Sequence, residues 1–245
     1  MERMLEATAR AEENHFWFRA LRRTSARLLG RALGTGRVSR IVDCGAGTGR
    51  NLDWLREFGP AVGVELSPAG LEVGRARGRT LVRGSVAALP LANASVDVAT
   101  SFDVLYCLDD QTERRAVAEM WRVLRPGGVA LVNVAALDVL HGSHSALTHE
   151  VRRYTRRRLS GRLTAAGFTI ERMTFTNMAT FPAALLVRTF DRLTGRAGVA
   201  SDADLRVPPA PVNAVLDLLL RAEGLLLRWT DLPIGTSLLC VARKK

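Results

Sequence analysis

One short stretch constrains the fold more than any other: IVDCGAGTGRN, residues 41–51, where glycines alternate directly after an apolar run. A strand that leads through such a turn into a helix points the helix N-terminus, with its free N–H groups, at a ligand. Gly45, Gly47 and Gly49 lack the G-x-G-x-x-G spacing of a dinucleotide site, because Arg50 stands in the place of the third glycine. The Gly-Lys-Ser/Thr of a phosphate-binding loop is also missing. The turn therefore predicts a nucleoside ligand without a pyrophosphate.

Short β-branched runs alternate with helical stretches around this turn. Strands are predicted at residues 40–45, 61–66, 80–84, 95–102 and 129–135. Helices are predicted between them at residues 51–59, 68–78 and 112–128. Buried strands separated by helices are typical of a sheet covered on both faces, so we predict an α/β fold with a doubly wound, mostly parallel sheet.

The pattern changes after about residue 136. A helix at 157–168, a strand at 169–177 and a last strand at 232–244 enclose a long connection with two helices, at 182–193 and 212–229. On the second of these helices, Asp217, Arg221, Gly224 and Arg228 form a narrow polar stripe, and the rest is almost entirely apolar. Glu223 lies on the apolar side, where a buried carboxylate would need a partner.

These elements predict one domain, residues 1–245. Its predicted parts are an N-terminal helical cap (1–35), a cofactor-binding core (36–177), a helical insertion or lid (178–232) and a final strand (233–245).

Two acidic residues narrow the ligand further. Asp43 precedes the glycine turn, and Glu65 ends the second predicted strand, so both come to the carboxyl edge of the sheet, where ligands bind. Glu65 can accept hydrogen bonds from both hydroxyls of a ribose, and Asp43 can reach an ammonium group directly or through water. A ribose, an ammonium group and no phosphate together describe S-adenosylmethionine.

On these motifs the chain resembles the class I S-adenosylmethionine-dependent methyltransferases that act on small molecules. VDCGAGTGR resembles the family's glycine motif and VGVELS its acidic motif, and the resemblance continues through EMWRVLRPGGVALV, covering residues 40–134. It implies a seven-stranded Rossmann-like sheet whose seventh strand, SLLCVARK, runs antiparallel beside the fifth. It also implies S-adenosylmethionine contacts from Asp43, Gly45, Ala46, Gly47, Glu65, Leu66, Ser85, Val86 and Phe102, and from Arg19 in the N-terminal cap.

The chain departs from the family pattern at two positions. Ser85 stands where many relatives carry an Asp that accepts from the adenine amino group, so adenine recognition is expected to depend more on the backbone at Val86. Cys107 stands where many relatives carry a His, which removes one candidate base.

Catalytic groups are expected beyond strands four and five, where an acceptor would be aligned and deprotonated. The candidates are His149, Tyr106 and Tyr154, with a solvated loop or cap histidine and plain packing as the alternatives for the first two. The arginines of residues 152–158 either grip an acidic acceptor or form a solvated helix face. No metal site is predicted, because no carboxylate or thiolate near the histidines forms a recognisable spacing of metal ligands.

Composition leaves the partner open. The net charge is +11, yet arginine supplies 33 of the 35 basic residues, a bias that a GC-rich genome explains as well as an anionic partner does. The apolar helices between residues 178 and 232 favour a small, lipophilic acceptor, such as a prenyl or lipid-linked molecule, a peripheral membrane contact or a contact between two subunits. The alternatives are an RNA methyltransferase, disfavoured by the absence of an Asn/Asp-Pro-Pro motif, and a non-catalytic, membrane-associated binding module of the same fold. The charged N-terminal stretch predicts a cytoplasmic protein, or one peripheral on the inner membrane face.

Overall fold

The computed structural model describes residues 2–141, 150–194 and 206–245. Seven strands form one sheet in the order β3-β2-β1-β4-β5-β7-β6. The strands are β1 (Ile41–Cys44), β2 (Ala61–Glu65), β3 (Leu81–Arg83), β4 (Val96–Phe102), β5 (Leu124–Ala135), β6 (Phe168–Thr176) and β7 (Ser237–Lys244). The first five are parallel, whereas β7 pairs antiparallel with both β5 and β6. The predicted sheet and its antiparallel seventh strand are confirmed.

Helices surround this sheet, and most agree with the sequence pattern. They are α1 (Glu2–Ala11), α2 (Phe16–Leu33), α3 (Leu52–Leu55), α4 (Pro68–Ala76), α5 (Asp110–Val123), α6 (Arg156–Ala165), α7 (Phe181–Leu193) and α8 (Ala210–Leu226). The predicted N-terminal helical cap consists of two helices rather than one. They are separated because His15 adopts an extended backbone and accepts from Trp17 N as the cap of α2. Helix α3 is only one turn long, shorter than predicted.

The apolar core lies in two layers, one on each face of the sheet. Alternate residues of β5 supply both layers, since Val129 and Leu131 pack with α2 whereas Ala130 and Val132 pack with α5. A strand that is buried on both faces reads as a continuous apolar run, which is why the sequence located β5.

Helix α8 packs along α2 and fills the connection between β6 and β7. Asp217 of α8 is buried and accepts from Arg23 Nη2 at 2.6 Å and from Arg221 Nε at 2.8 Å. Glu223 is buried too, and its partners are the backbone N–H groups of Asn177 (2.5 Å) and Ala179 (2.9 Å). None of the helices in the described parts of the chain is long and apolar enough to cross a membrane.

Candidate active site

The glycine turn follows β1 and is hydrogen-bonded to the carboxyl end of β2. The N–H groups of Gly45 and Ala46 donate to Val64 O at 2.8 and 3.0 Å. Gly45 has a φ of +80°, and a Cβ at this position would lie 2.5 Å from Val104 Cγ2. Both the backbone conformation and the space therefore exclude a side chain, which is the physical reason for the glycine.

A cavity of about 370 Å³ lies against the carboxyl ends of the first strands. Its lining includes the glycine turn, Glu65 and residues 84–86, together with side chains of α1 and α2. The large apolar side chains that line it are Leu5, Trp17, Phe18, Leu21, Leu66, Phe102, Val104 and Leu108. A pocket of this size, mostly apolar with a few polar groups, is typical of a small-molecule site.

Glu65 is held by the backbone on either side of it. Its Oε2 accepts from Gly47 N and its Oε1 from Ser67 N, both at 2.7 Å. Its side chain is buried from bulk solvent but lines the cavity. Because a carboxylate has about four acceptor positions, two remain for a ligand.

Asp43 is almost completely buried behind the glycine turn. Its Oδ1 accepts from Thr100 Oγ1 at 2.7 Å, whereas Oδ2 has no hydrogen-bond partner among the described residues. Burial, assisted by the charge of Glu65, raises the pKa of Asp43 to about 7, although Thr100 and the nearby Asn51 amide oppose the shift. A buried acceptor without a partner is uncommon and calls for a ligand or water.

Asp103 is a polar residue of the cavity that the sequence interpretation missed. It follows β4 in a left-handed conformation with a φ of 61°, which costs free energy for a residue other than glycine. Its backbone N–H donates to Asn133 O at 3.1 Å, and Asn133 Nδ2 donates to its Oδ1 at 3.0 Å. Burial raises the pKa of Asp103 to about 7, helped by Glu150 and opposed by the Asn133 hydrogen bond and Arg153. An acid directly after the buried β4 was the available signal.

The N-terminal helices are tied to the glycine turn by a buried carboxylate. Glu12 Oε2 accepts from Thr48 Oγ1 at 2.6 Å, and Glu12 Oε1 accepts from Arg77 Nη1 at 2.6 Å. Arg22 lines the cavity, and burial lowers its pKa to about 10, so it stays charged at neutral pH. Arg19 does not line the cavity, and its guanidinium lies 3.4 Å from Asp217.

The other predicted residues divide between the cavity and the core. The cavity lining includes the predicted residues Gly45, Ala46, Gly47, Glu65, Leu66, Ser85, Val86, Phe102 and Tyr106. Burial raises the pKa of Tyr106 well above its usual value, so its hydroxyl stays protonated at neutral pH. Tyr154 is away from the cavity in the buried core, where its Oη donates to Glu113 Oε1 at 2.6 Å. His149 lies outside the described residues and stays a prediction.

The described residues contain no group of three His, Cys, Asp or Glu side chains that could hold a metal ion.

Known proteins resemble this chain in sequence and in fold. Residues 42–132 match the family profile described as a methyltransferase domain. A probable S-adenosylmethionine-dependent methyltransferase of Mycolicibacterium smegmatis is 40% identical over 126 residues, which are 50% of this chain and 46% of that protein. The malonyl-[acyl-carrier protein] O-methyltransferase of Serratia marcescens is 35% identical over 105 residues, 41% of this chain and 40% of that protein.

Among solved structures, an S-adenosylmethionine-dependent methyltransferase from Thermotoga maritima superposes with a TM-score of 0.60. The alignment covers 100% of this chain and 97% of that one at 20% identity, which shows a shared fold. Residues 42–132 therefore match a methyltransferase domain, and the whole chain shares the fold of a known S-adenosylmethionine-dependent methyltransferase. These matches support the predicted family and cofactor. The chain spans about half the length of the curated relatives it matches.

Proposed function

We propose that this methyltransferase transfers a methyl group from S-adenosylmethionine to a small, lipophilic acceptor. One observation carries the proposal: the glycine turn and Glu65 line the same cavity as many large apolar side chains. The first group offers hydrogen bonds to a nucleoside, and the mostly apolar lining favours an acceptor with little exposed polarity.

The residues present fit the cofactor. Glu65 keeps two acceptor positions for the ribose hydroxyls, and Gly47 lines the cavity without adding a side chain to it. Asp43 Oδ2, buried and without a partner among the described residues, suits the ammonium group directly or through one water. For the cofactor carboxylate we favour Arg22, which lines the cavity, over Arg19, which pairs with Asp217.

The remaining predicted contacts follow from position. Ala46, Leu66 and Phe102 offer van der Waals surface in the cavity, and the backbone at Val86 is placed to contact the adenine. The Ser85 hydroxyl accepts from Ala87 N at 3.2 Å, so its acceptor capacity is partly used within its own turn.

When bound, S-adenosylmethionine supplies an electrophilic methyl group. The protein's remaining tasks are to align the acceptor and to take up its proton. Asp103 lines the cavity, and its pKa of about 7 suits a base that works near neutral pH. Tyr106, protonated beside it, can donate a hydrogen bond to the acceptor. This assignment favours an acceptor O–H or N–H, since both must lose a proton.

The proposed organisation follows the cavity. Residues 1–35 act as a cap, because side chains of α1 and α2 line the cavity and Glu12 ties them to the glycine turn. Residues 36–177 form the cofactor-binding core, residues 178–232 an insertion and residues 233–245 the final strand of one domain, 1–245. All three cysteines lie in the described part of the chain and none forms a disulfide, which supports a cytoplasmic location.

Calorimetry and a methylation assay test the proposal together. S-adenosylmethionine is first titrated into the purified chain. The chain is then incubated with methyl-labelled S-adenosylmethionine and an alkylphenol, a long-chain carboxylic acid, an alkylamine or transfer RNA. We expect cofactor binding and label in at least one lipophilic acceptor, but none in the RNA. Absence of cofactor binding, or label in RNA alone, would overturn it.

A further inference from the structure

Helix α8 turns its acidic side chains toward the protein interior, the reverse of an ordinary surface helix. Its two carboxylates, Asp217 and Glu223, are buried together with Leu220 and Gly224. Gly224 lies close to α2, since a Cβ there would lie 2.8 Å from Arg27 Nη1. The side of the helix that faces α2 is therefore the side that carries the acids, whereas solvated helices normally turn such residues outward.

The outward side of α8 is apolar over four turns. Positions at helical spacing of three and four residues are exposed, with Leu218 at 66% and Trp229, just beyond the helix, at 78%. Four other large apolar side chains on this surface are about half exposed: Val215 (57%), Leu219 (45%), Leu225 (43%) and Leu226 (48%). We call these six side chains the α8 apolar face. Soluble monomers rarely expose so continuous an apolar surface, so it indicates a partner.

Arginines form one border of the α8 apolar face. Arg221 is exposed on α8 and Arg228 just beyond its end, and Arg27 and Arg31 approach from α2. The pKa of Arg27 is lowered by burial and by repulsion from Arg228, Arg23, Arg221 and Arg31. Asp217 pairs with Arg23 and Arg221, whereas Arg27, Arg31 and Arg228 form no ion pair among the described residues, so this border keeps a net positive charge.

We propose that the α8 apolar face binds the surface of an anionic lipid bilayer. A helix with leucines and a tryptophan on one face and arginines at its edge is suited to the boundary between lipid headgroups and acyl chains. The arginine border complements anionic headgroups, each basic residue near such a surface contributing attraction. A second copy of the chain would bring an identical arginine border into the same interface, which disfavours self-association.

The proposed membrane helix is joined to the helices that line the cavity. Asn213, near the start of α8, donates from Nδ2 to Asn14 O at 2.9 Å and accepts at Oδ1 from Phe16 N at 3.0 Å. These bonds hold the corner between α1 and α2, both of which line the cavity. Bilayer binding through α8 thus places the cap of the active site next to a source of lipophilic molecules.

Vesicle sedimentation tests the surface without cofactor or acceptor, so its outcome is independent of the methyl-transfer proposal. The full chain is mixed with phosphatidylcholine vesicles that contain or lack about 30 mol% phosphatidylglycerol, at about 0.15 M salt. We expect binding to the anionic vesicles only. The double substitution Leu218→Glu/Leu225→Glu should weaken it at least about tenfold, because two charges would enter the apolar layer.

A charge-matched pair separates specific from general attraction. Arg221→Gln/Arg228→Gln should weaken vesicle binding about tenfold. Arg114→Gln/Arg115→Gln removes the same charge from exposed positions on α5, which packs on the other face of the sheet, and should leave binding within about twofold of the parent. Trp229→Ala, exposed and after the helix, provides a variant whose folding is not in question.

Three results would overturn the proposal. The parent chain could fail to bind anionic vesicles, or the substitutions at the two arginine pairs could weaken binding equally. Sedimentation equilibrium could instead show a dimer that Leu218→Glu/Leu225→Glu dissociates, which would make this face a subunit interface.

Discussion

Two regions that hold buried carboxylates differ in how those carboxylates are paired. Between α5 and α6, Glu113 is completely buried and accepts from Tyr154 Oη, from Arg162 Nε and Nη2, and from Arg152 Nη1, all within 3.1 Å. Beside the cavity, Asp43 has a single side-chain donor within hydrogen-bond geometry, Thr100, and one oxygen without a partner among the described residues. The first acid is saturated and the second is not.

The difference distinguishes a structural role from a functional one. A buried charge that is fully paired costs little while its partners remain, and it fixes how two helices pack. A buried acid left short of partners has a raised pKa, as Asp43 and Asp103 do, and keeps acceptor capacity for a ligand. We therefore expect the acids with raised pKa values, rather than the saturated acid, to act on a ligand.

The largest expected effect is the loss of stability when the saturated acid is removed. Glu113→Ala leaves the buried Tyr154 hydroxyl and the half-buried guanidinium of Arg162 without their main acceptor, so the free energy of unfolding should fall by about 3 kcal/mol. Arg152 loses one acceptor but keeps Asp110. Urea denaturation followed by circular dichroism measures it. Asp110→Ala removes an exposed acid that pairs with Arg152 and Arg158, and should cost under about 1 kcal/mol. Equal losses in both variants would erase the contrast.

The unsaturated acids should show the opposite behaviour. Asp43→Asn and Glu65→Gln remove charge that the cofactor needs, so the Kd for S-adenosylmethionine should rise about a hundredfold, close to 3 kcal/mol. Asp43→Asn keeps an acceptor for Thr100 and should not lower the melting temperature at pH 8. Isothermal titration calorimetry of both variants supplies the affinities.

An affinity for Glu65→Gln equal to that of the parent would refute the ribose assignment. A variant that bound weakly only because it had partly unfolded would show a lowered thermal transition, which separates the two causes. Near pH 7, binding to the parent should also release protons, because a cation beside Asp43 favours its ionised form.

Asp103 allows the contrast to be measured as a pH dependence. Its pKa is about 7 in the folded chain against an ordinary value of 3.8, so its contribution to stability is fully present below about pH 4. That contribution is lost as the pH rises through 7, since the folded chain must then bury an ionised carboxylate. Asp103→Asn removes this loss and should be more stable than the parent by about 2 kcal/mol at pH 8, and about equal at pH 4.

Urea midpoints measured from pH 4 to pH 8 provide this profile. A parallel decline in the parent and Asp103→Asn would mean that other groups cause the pH dependence, and that Asp103 is ionised at little cost.

The sequence specified the sheet well because its strands are buried on both faces. The apolar runs of β4 and β5 are explained by burial on both faces of a sheet. The glycine turn before α3 is explained by a ligand at the helix N-terminus. The break between α1 and α2 was missed, since it depends on His15 acting as a helix cap within a stretch of helix-forming residues. The direction in which α8 turns its polar stripe depends on α2, so local sequence could not specify it.

The candidate site was partly predictable for the same reason. The cavity positions of Glu65 and the glycine turn follow from their place at strand ends, which the sequence order determines. The distinction between Arg19 and Arg22 does not, because it depends on which side of α2 faces Asp217. Asp103 needed the structure as well, since its left-handed backbone and its bond to Asn133 bring together residues 30 positions apart.

The smallest expected effect concerns Tyr154, predicted from the sequence as a catalytic candidate. Its hydroxyl donates to Glu113, which keeps Arg152 and Arg162 when that bond is lost, so Tyr154→Phe should cost only about 1 kcal/mol of stability. Affinity for S-adenosylmethionine and the rate of methyl transfer should match the parent, because Tyr154 does not line the cavity. Denaturation and turnover of the same preparation measure both quantities. A fall in rate of about a hundredfold with unchanged stability would assign Tyr154 to the reaction, and saturation of a buried acid would then no longer mark a purely structural region.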